Sequence, residues 1–117
     1  MKKIIIFGLF LFMTVFYVNA QSRPSVYIVN NTGYEVYYIF MTPTTDDSWG
    51  QDILPENQTL EDGESFQYQL PFALREASAY DICLEDLDGD TYTKMNVTVS
   101  DKARIIFTFD DFDDFEE

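Results

Sequence analysis

The fold prediction for this chain starts from VYIVNNTGYEVYYIFMTPTTDDSWGQDIL, residues 26–54. Residues 26–30 and 35–42 are rich in β-branched and aromatic side chains, which favour extended strands. Asn31, Thr32 and Gly33 lie between them and tolerate the backbone angles of a tight reversal, so the pair predicts a β-hairpin. The second run is apolar on both of its alternating faces, which predicts a central strand.

Four later runs alternate between apolar and polar side chains, which predicts strands with one buried face and one wet face. No segment of ten or more residues has helical periodicity, and the glycines and prolines fall between the runs. The predicted inward sets are Phe66, Tyr68 and Leu70; Tyr80, Ile82 and Leu84; Thr93, Met95, Val97 and Val99; and Ile105, Phe107 and Phe109.

Six short strands without a covering helix must hide their apolar faces against each other. The predicted fold class is all-β, a small antiparallel β-sandwich that is immunoglobulin-like or C2-like. The stretch LEDGESF, residues 60–66, favours this architecture because it resembles the Leu-x-x-Gly-x-Ser turn of many immunoglobulin-like bacterial domains. A small open β-barrel is the alternative, since periodicity does not tell whether the two sheets close.

Residues 1–20 have the pattern of a secretory signal peptide, with a basic start, an apolar helical run and the small residue Ala20 before the cleavage point. The apolar run is shorter than the roughly 20 residues of an ordinary membrane span. We therefore expect a secreted or periplasmic bacterial protein with no membrane insertion after cleavage. The rest of the chain divides into a β-sandwich domain, residues 21–109, and an acidic C-terminal tail, residues 110–117.

The chain carries 21 acidic and 7 basic residues, and its formal net charge is −14. Nucleic acids and anionic lipids are bound through Lys and Arg, so this balance argues against them as partners. An unknown protein or glycan remains compatible with the charge, which also keeps an exported domain soluble. The acidic tail is interpreted as solvated, with docking of its two phenylalanines on a groove of the domain or a partner as the alternative.

Catalysis has little support in the sequence, and we expect a protein that is not an enzyme. The chain has no His and one cysteine, Cys83, so the common nucleophilic and zinc chemistries lack their residues. Cys83 follows Ile82 in a strand-like run and is interpreted as a small buried hydrophobe. A single cysteine also excludes an internal disulfide bond.

Two segments offer candidate binding residues. Trp49 lies in a long loop, where it is either a platform for a sugar or a cation or a plug that closes one end of the sandwich. Asp86, Asp88 and Asp90 surround Gly89, and closely spaced carboxylates of this kind hold Ca²⁺ in some loops. The spacing differs from that of an EF-hand, and Asp-Gly is a hairpin signal, so a plain turn without a cofactor is favoured over a calcium site.

Three motifs, NNTGY at residues 30–34, WGQD at 49–52 and DGDTY at 88–92, resemble those of a group of small secreted bacterial β proteins of unknown function. The resemblance implies export and a compact β domain, and it carries no catalytic or binding residues. We expect a secreted or periplasmic non-catalytic binding module for a protein or glycan ligand. The alternative is a structural domain of the cell surface, stabilised by calcium.

Overall fold

The computed structural model describes residues 23–114, which form six strands and one short 3₁₀ helix. Each run predicted to be extended forms a strand, and among the described residues no helix is long and apolar enough to cross a membrane. The predicted signal peptide and residues 115–117 lie outside this range. The elements are β1 (Ser25–Asn31), β2 (Val36–Pro43), β3 (Ser65–Gln69), β4 (Ala79–Asp86), β5 (Thr91–Thr98), β6 (Ala103–Thr108) and the 3₁₀ helix Phe109–Asp111.

The strands form two three-stranded sheets, β3-β1-β6 and β2-β4-β5, which we call the first and the second sheet. They pack together as a small β-sandwich, which confirms the predicted fold class over the barrel. Neighbouring strands are antiparallel except for β1 and β6, which pair in parallel with Val26 opposite Ala103 and Asn31 opposite Thr108. The first and last strands of the domain are therefore partners.

The predicted hairpin of β1 and β2 is wrong, because the two strands belong to different sheets. The buried side chain of Asn30 explains the corner between them. Its Nδ2 donates to the carbonyls of Tyr34 and Leu60 at 2.8 and 2.9 Å, and its Oδ1 accepts from the amide and hydroxyl of Thr32 at 3.0 and 2.7 Å. These bonds satisfy polar groups of the turn and tie it to the loop before β3, so the chain leaves one sheet and enters the other without pairing back on itself.

The prediction that the second apolar run is a central strand is also wrong, since β4 lies in the middle of the second sheet and β2 at its edge. β2 directs Val36, Ile39 and Met41 into the core, whereas Phe40 is half-buried and Tyr38 is 45% exposed on the outer face. Its second apolar face is thus an aromatic surface rather than a face packed inside the sandwich.

The core between the sheets is made by inward side chains of both layers and of the loops, and Ile28, Ile39, Leu84 and Phe107 are among its fully buried members. β5 departs from its predicted alternation, because Tyr92 is buried while Met95 is 63% exposed. The cause is a bulge. The β4–β5 register shifts after Tyr80, and Asn96 adopts a left-handed backbone with a φ of 56°. As a result, the residues before Asn96 point to the faces opposite to those predicted.

Loop segments cover both edges of the second sheet. Along β2, Oδ1 of Asp52 accepts from the Ile39 amide at 2.9 Å, and Leu60 forms a bridge with Val36. Along β5, Phe112 bridges to Tyr92, and the next residue donates its amide to the Thr91 carbonyl. Among residues 23–114, no further segment adds backbone hydrogen bonds to the outer edges of β3 and β6. The second sheet therefore has covered edges, whereas the outer edges of the first sheet receive no further backbone pairing from residues 23–114.

Candidate functional site

A cavity of about 600 Å³ lies on the outer face of the second sheet, and we call it the sheet groove. The strand register places Phe40, Cys83 and Thr93 in one row across β2, β4 and β5. Glu85 and Thr91 are paired in the next row. The complete lining is Phe40, Trp49, Cys83, Glu85, Thr91, Thr93 and Asp113.

Aromatic side chains form one side of the sheet groove. Trp49 is half-buried and belongs to the loop between β2 and β3. Gly50 follows Trp49 in this loop and has a φ of 73°, in the left-handed region that favours glycine. Phe40 lies on β2, and the ring of Tyr38 stacks beside it with centroids 6.5 Å apart and planes 18° from parallel.

The two interpretations of the Trp49 loop apply to different residues of the loop. Ile53 and Leu54 pack with the core, and the Ile53 amide donates to the Ile39 carbonyl at 2.8 Å. Trp49 lines the cavity and is not among the side chains of the core cluster. The loop thus closes the sandwich with its aliphatic residues and leaves the tryptophan on the outer face.

The C-terminal segment supplies the opposite side of the sheet groove. Asp113 Oδ2 accepts from the Thr91 hydroxyl at 2.8 Å and also from the Thr93 hydroxyl. Nearby, Lys94 Nζ lies 3.1 Å from Asp111 Oδ1, which helps to hold the segment against β5. Phe112 also packs against the core and forms a bridge with Tyr92, so residues 110–114 follow the docking interpretation. The second phenylalanine of the tail, Phe115, lies outside the described residues.

Carboxylates dominate the charge of this face. Glu85 is half-buried on the central strand, and no described residue forms a hydrogen bond or ion pair with its side chain. A second cavity of about 160 Å³ shares Trp49 with the sheet groove. Its further lining residues are Thr42, Asp46, Asp47, Ser48, Asp81 and Met95. Both cavities are therefore negatively charged and have an aromatic ring in common.

Cys83 forms part of the floor and is 8% exposed. Burial raises the pKa of its thiol, the hydrogen bond with Thr93 lowers it, and the charges of Asp113 and Glu85 raise it further. The raised pKa keeps the thiol protonated at neutral pH, so Cys83 is a poor nucleophile. Its burial agrees with the interpretation as a small hydrophobe.

The proposed metal ligands Asp86, Asp88 and Asp90 have carboxylate oxygens within 4.8 Å of one another. Asp86 is 3% exposed, and its Oδ1 accepts from the backbone amides of Asp88 and Asp90, both at 3.0 Å. Its Oδ2 accepts from the hydroxyl of Tyr92 at 3.1 Å. Both oxygens therefore help to close the β4–β5 turn, where Gly89 has a φ of 85°. The preference for a plain turn over a calcium site stays a prediction.

Sequence reasoning identified Trp49 but missed the residues that surround it. The prediction of a central strand places both faces of residues 35–42, and with them Phe40, inside the fold, and it does not connect Glu85 or Asp113 with a site. The available signal was the second apolar face of residues 36–41, because a two-layer sandwich buries only one face of each strand and leaves the other on the outside. The other lining residues are distant in sequence, and the strand register brings them together.

No protein-family model matches the chain, and no curated protein matches it. The fold is similar to that of a protein from Eubacterium rectale solved by NMR, with a TM-score of 0.54 and 17% sequence identity. The match covers 75% of this chain and 79% of that chain. At this identity the likeness concerns the fold alone.

Proposed function

We propose that this protein is a non-catalytic binding module that acts outside the cytoplasm, and that its protein or glycan ligand occupies the sheet groove. The observation that carries the proposal is the position of Trp49 and Phe40 beside Glu85 and Asp113 on one concave face. Aromatic rings provide broad apolar contact at low entropic cost, and nearby polar groups orient a ligand. Burial raises the pKa of the Cys83 thiol, which makes this one residue of the lining a poor nucleophile.

The test uses arrays of immobilised glycans and of peptides, probed with the purified protein and three variants. We expect Trp49→Ala and Phe40→Ala to weaken binding of a captured ligand by about tenfold, because each removes a ring that contacts it. Phe72→Ala is the matched control, since Phe72 is 41% exposed in the loop between β3 and β4 and does not line the sheet groove.

Equal binding by all variants would show that the ligand contacts another surface. The absence of any ligand whose binding depends on Trp49 would contradict the proposed function.

Export is part of the proposal and is tested separately. Cleavage after Ala20 predicts a protein that begins at Gln21 in the secreted or periplasmic fraction. Intact-mass measurement of that fraction checks the position. Recovery of the full-length chain with the membranes would contradict it.

A further inference from the structure

We infer that the ligand of the sheet groove is a basic, extended segment of a partner polypeptide, whose lysine or arginine side chains lie against Trp49 and bind Glu85 and Asp113. This inference rests on the proposed binding function and adds the chemistry of the ligand. Three observations carry it: the charge of the two cavities, their balance of hydrogen-bond donors and acceptors, and the aromatic rings beside the carboxylates.

The charged groups that line the two cavities are all carboxylates among the described residues. Glu85 and Asp113 line the sheet groove, and Asp46, Asp47 and Asp81 line the smaller cavity. No Lys or Arg side chain lines either one. A ligand that carries phosphate, sulfate or carboxylate groups meets repulsion on this face, whereas an ammonium or guanidinium group is attracted.

The basic residues of the described chain lie elsewhere. Lys94 is paired with Asp111, and its Nζ lies 5.5 Å from the centre of the Phe107 ring. The remaining four are Arg23 before β1, Arg75 between β3 and β4, Lys102 before β6, and Arg104 on β6 of the first sheet. The positive charge of a partner thus meets no competing cation in the lining of the sheet groove.

The sheet groove also offers many acceptors and few free donors. The hydroxyls of Thr91 and Thr93 both donate to Asp113, and the Cys83 thiol donates to the carbonyl of Leu84 at 3.8 Å. Among the described lining side chains, the indole N–H of Trp49 is left as a donor without a partner. Lys and Arg carry donors and no acceptors, so they match a surface of this kind.

The aromatic rings complete the match. A cation over a tryptophan face is attracted by the ring, and the aliphatic stem of Lys or Arg packs on apolar surface while its charged end reaches a carboxylate. Phe40 and Trp49 supply that surface beside Glu85. Because Trp49 also lines the smaller cavity, two basic side chains of one extended segment can occupy the two cavities.

Trp49 is the single tryptophan of the chain, so its fluorescence reports directly on this face. The purified protein is titrated with hexalysine, hexaglutamate and chitohexaose at about 50 mM and about 300 mM NaCl. We expect hexalysine to change the Trp49 emission and to bind several-fold more weakly at the higher salt concentration. Hexaglutamate should leave the emission unchanged.

Variants distinguish binding in the sheet groove from attraction of hexalysine to the net negative charge of the protein. We expect Glu85→Gln to weaken hexalysine binding about three- to tenfold, since it removes a charge-assisted contact at a half-buried position. Asp113→Asn provides a second variant of the same kind. The matched control is Glu61→Gln, which removes the same charge. Glu61 is exposed, lies before β3 and lines neither cavity. Urea midpoints verify that each variant is folded.

The outcomes distinguish the inference from the proposed function. Equal weakening by Glu85→Gln and Glu61→Gln would overturn the inference, because the attraction would then follow net charge alone. A Trp49 response to chitohexaose without one to hexalysine would also overturn it and would leave the binding module standing. Absence of any response to hexalysine contradicts the inference, and the arrays then decide whether the binding function survives.

Discussion

The two sheets of the sandwich share one core but differ at their edges and on their outer faces. The second sheet has both edges covered by loop segments, and its outer face is a concave aromatic and acidic groove. The first sheet carries exposed polar side chains, such as Gln67 and Gln69 on β3, and among residues 23–114 its outer edges receive no further backbone pairing. The loop before β3 and the C-terminal segment thus cover and shape the second sheet rather than adding strands to the first.

The largest expected effect separates the shared core from the groove. Leu84 is fully buried on the inner face of β4, so Leu84→Ala should lower the free energy of unfolding by roughly 3 kcal/mol. Phe40→Ala should lower it by about 1–2 kcal/mol, because Phe40 is half-buried on the outer face. Urea unfolding measures both. Equal losses would show that the outer face belongs to the core after all.

A smaller effect is expected at the covered edge of the second sheet. Asp52→Ala removes the acceptor of the Ile39 and Leu54 amides and should lower the free energy of unfolding by about 2 kcal/mol. Asp52→Asn keeps an acceptor oxygen and should recover most of this loss in urea unfolding. Gln67→Ala on the open edge strand of the first sheet should change stability by no more than about 0.5 kcal/mol. A comparable loss at Gln67 would remove the distinction between the edges.

Two buried tyrosines of the second sheet make a matched pair. The hydroxyl of Tyr80 is buried without a hydrogen-bond partner among the described residues, so Tyr80→Phe should raise the free energy of unfolding by about 1 kcal/mol. Tyr92→Phe should lower it by about 1 kcal/mol, because its hydroxyl donates to Asp86. Chemical denaturation of both variants gives the sign of each change in the free energy of unfolding. Destabilisation by Tyr80→Phe would indicate a bound internal water at its hydroxyl.

The smallest effect is expected at the β4–β5 turn. Both carboxylate oxygens of Asp86 are occupied by hydrogen bonds, so millimolar Ca²⁺ and Mg²⁺ should shift the melting temperature equally and only slightly. A true site would add about 2.7 kcal/mol at a hundredfold excess of ion over its dissociation constant. A rise in melting temperature that is specific for calcium and disappears in Asp88→Asn would support the alternative function, a structural domain stabilised by calcium. Thermal unfolding with each ion makes the comparison.

The strands and the two-layer architecture could be predicted from the sequence, because alternation of side chains is a local property. The connection between β1 and β2 could not, since the NNTGY motif reads as a hairpin turn. The decisive bonds of Asn30 include one to the carbonyl of Leu60, thirty residues away. The inverted faces of β5 depend likewise on a bulge, where Asp81 accepts from the Asn96 amide at 2.8 Å.

The groove was less predictable than the fold for a related reason. Its lining comes from β2, β4, β5, a loop and the C-terminal segment, so neighbours in space are far apart in sequence. Trp49 could be singled out as a rare aromatic in a loop, whereas Asp113 looked like one acid among many in a charged tail. Only the pairing of that segment with β5 gives this aspartate a fixed position.

The parallel pairing of β1 with β6 also determines when the domain can form. The earliest strand of the sandwich is incomplete until the latest one has been made, so a growing chain cannot finish the first sheet while β6 is still inside the ribosome. Contacts so distant in sequence make folding slow, because a long loop must close before they stabilise it. The second sheet does not contain β6, so β2, β4 and β5 can pair before the first sheet is complete.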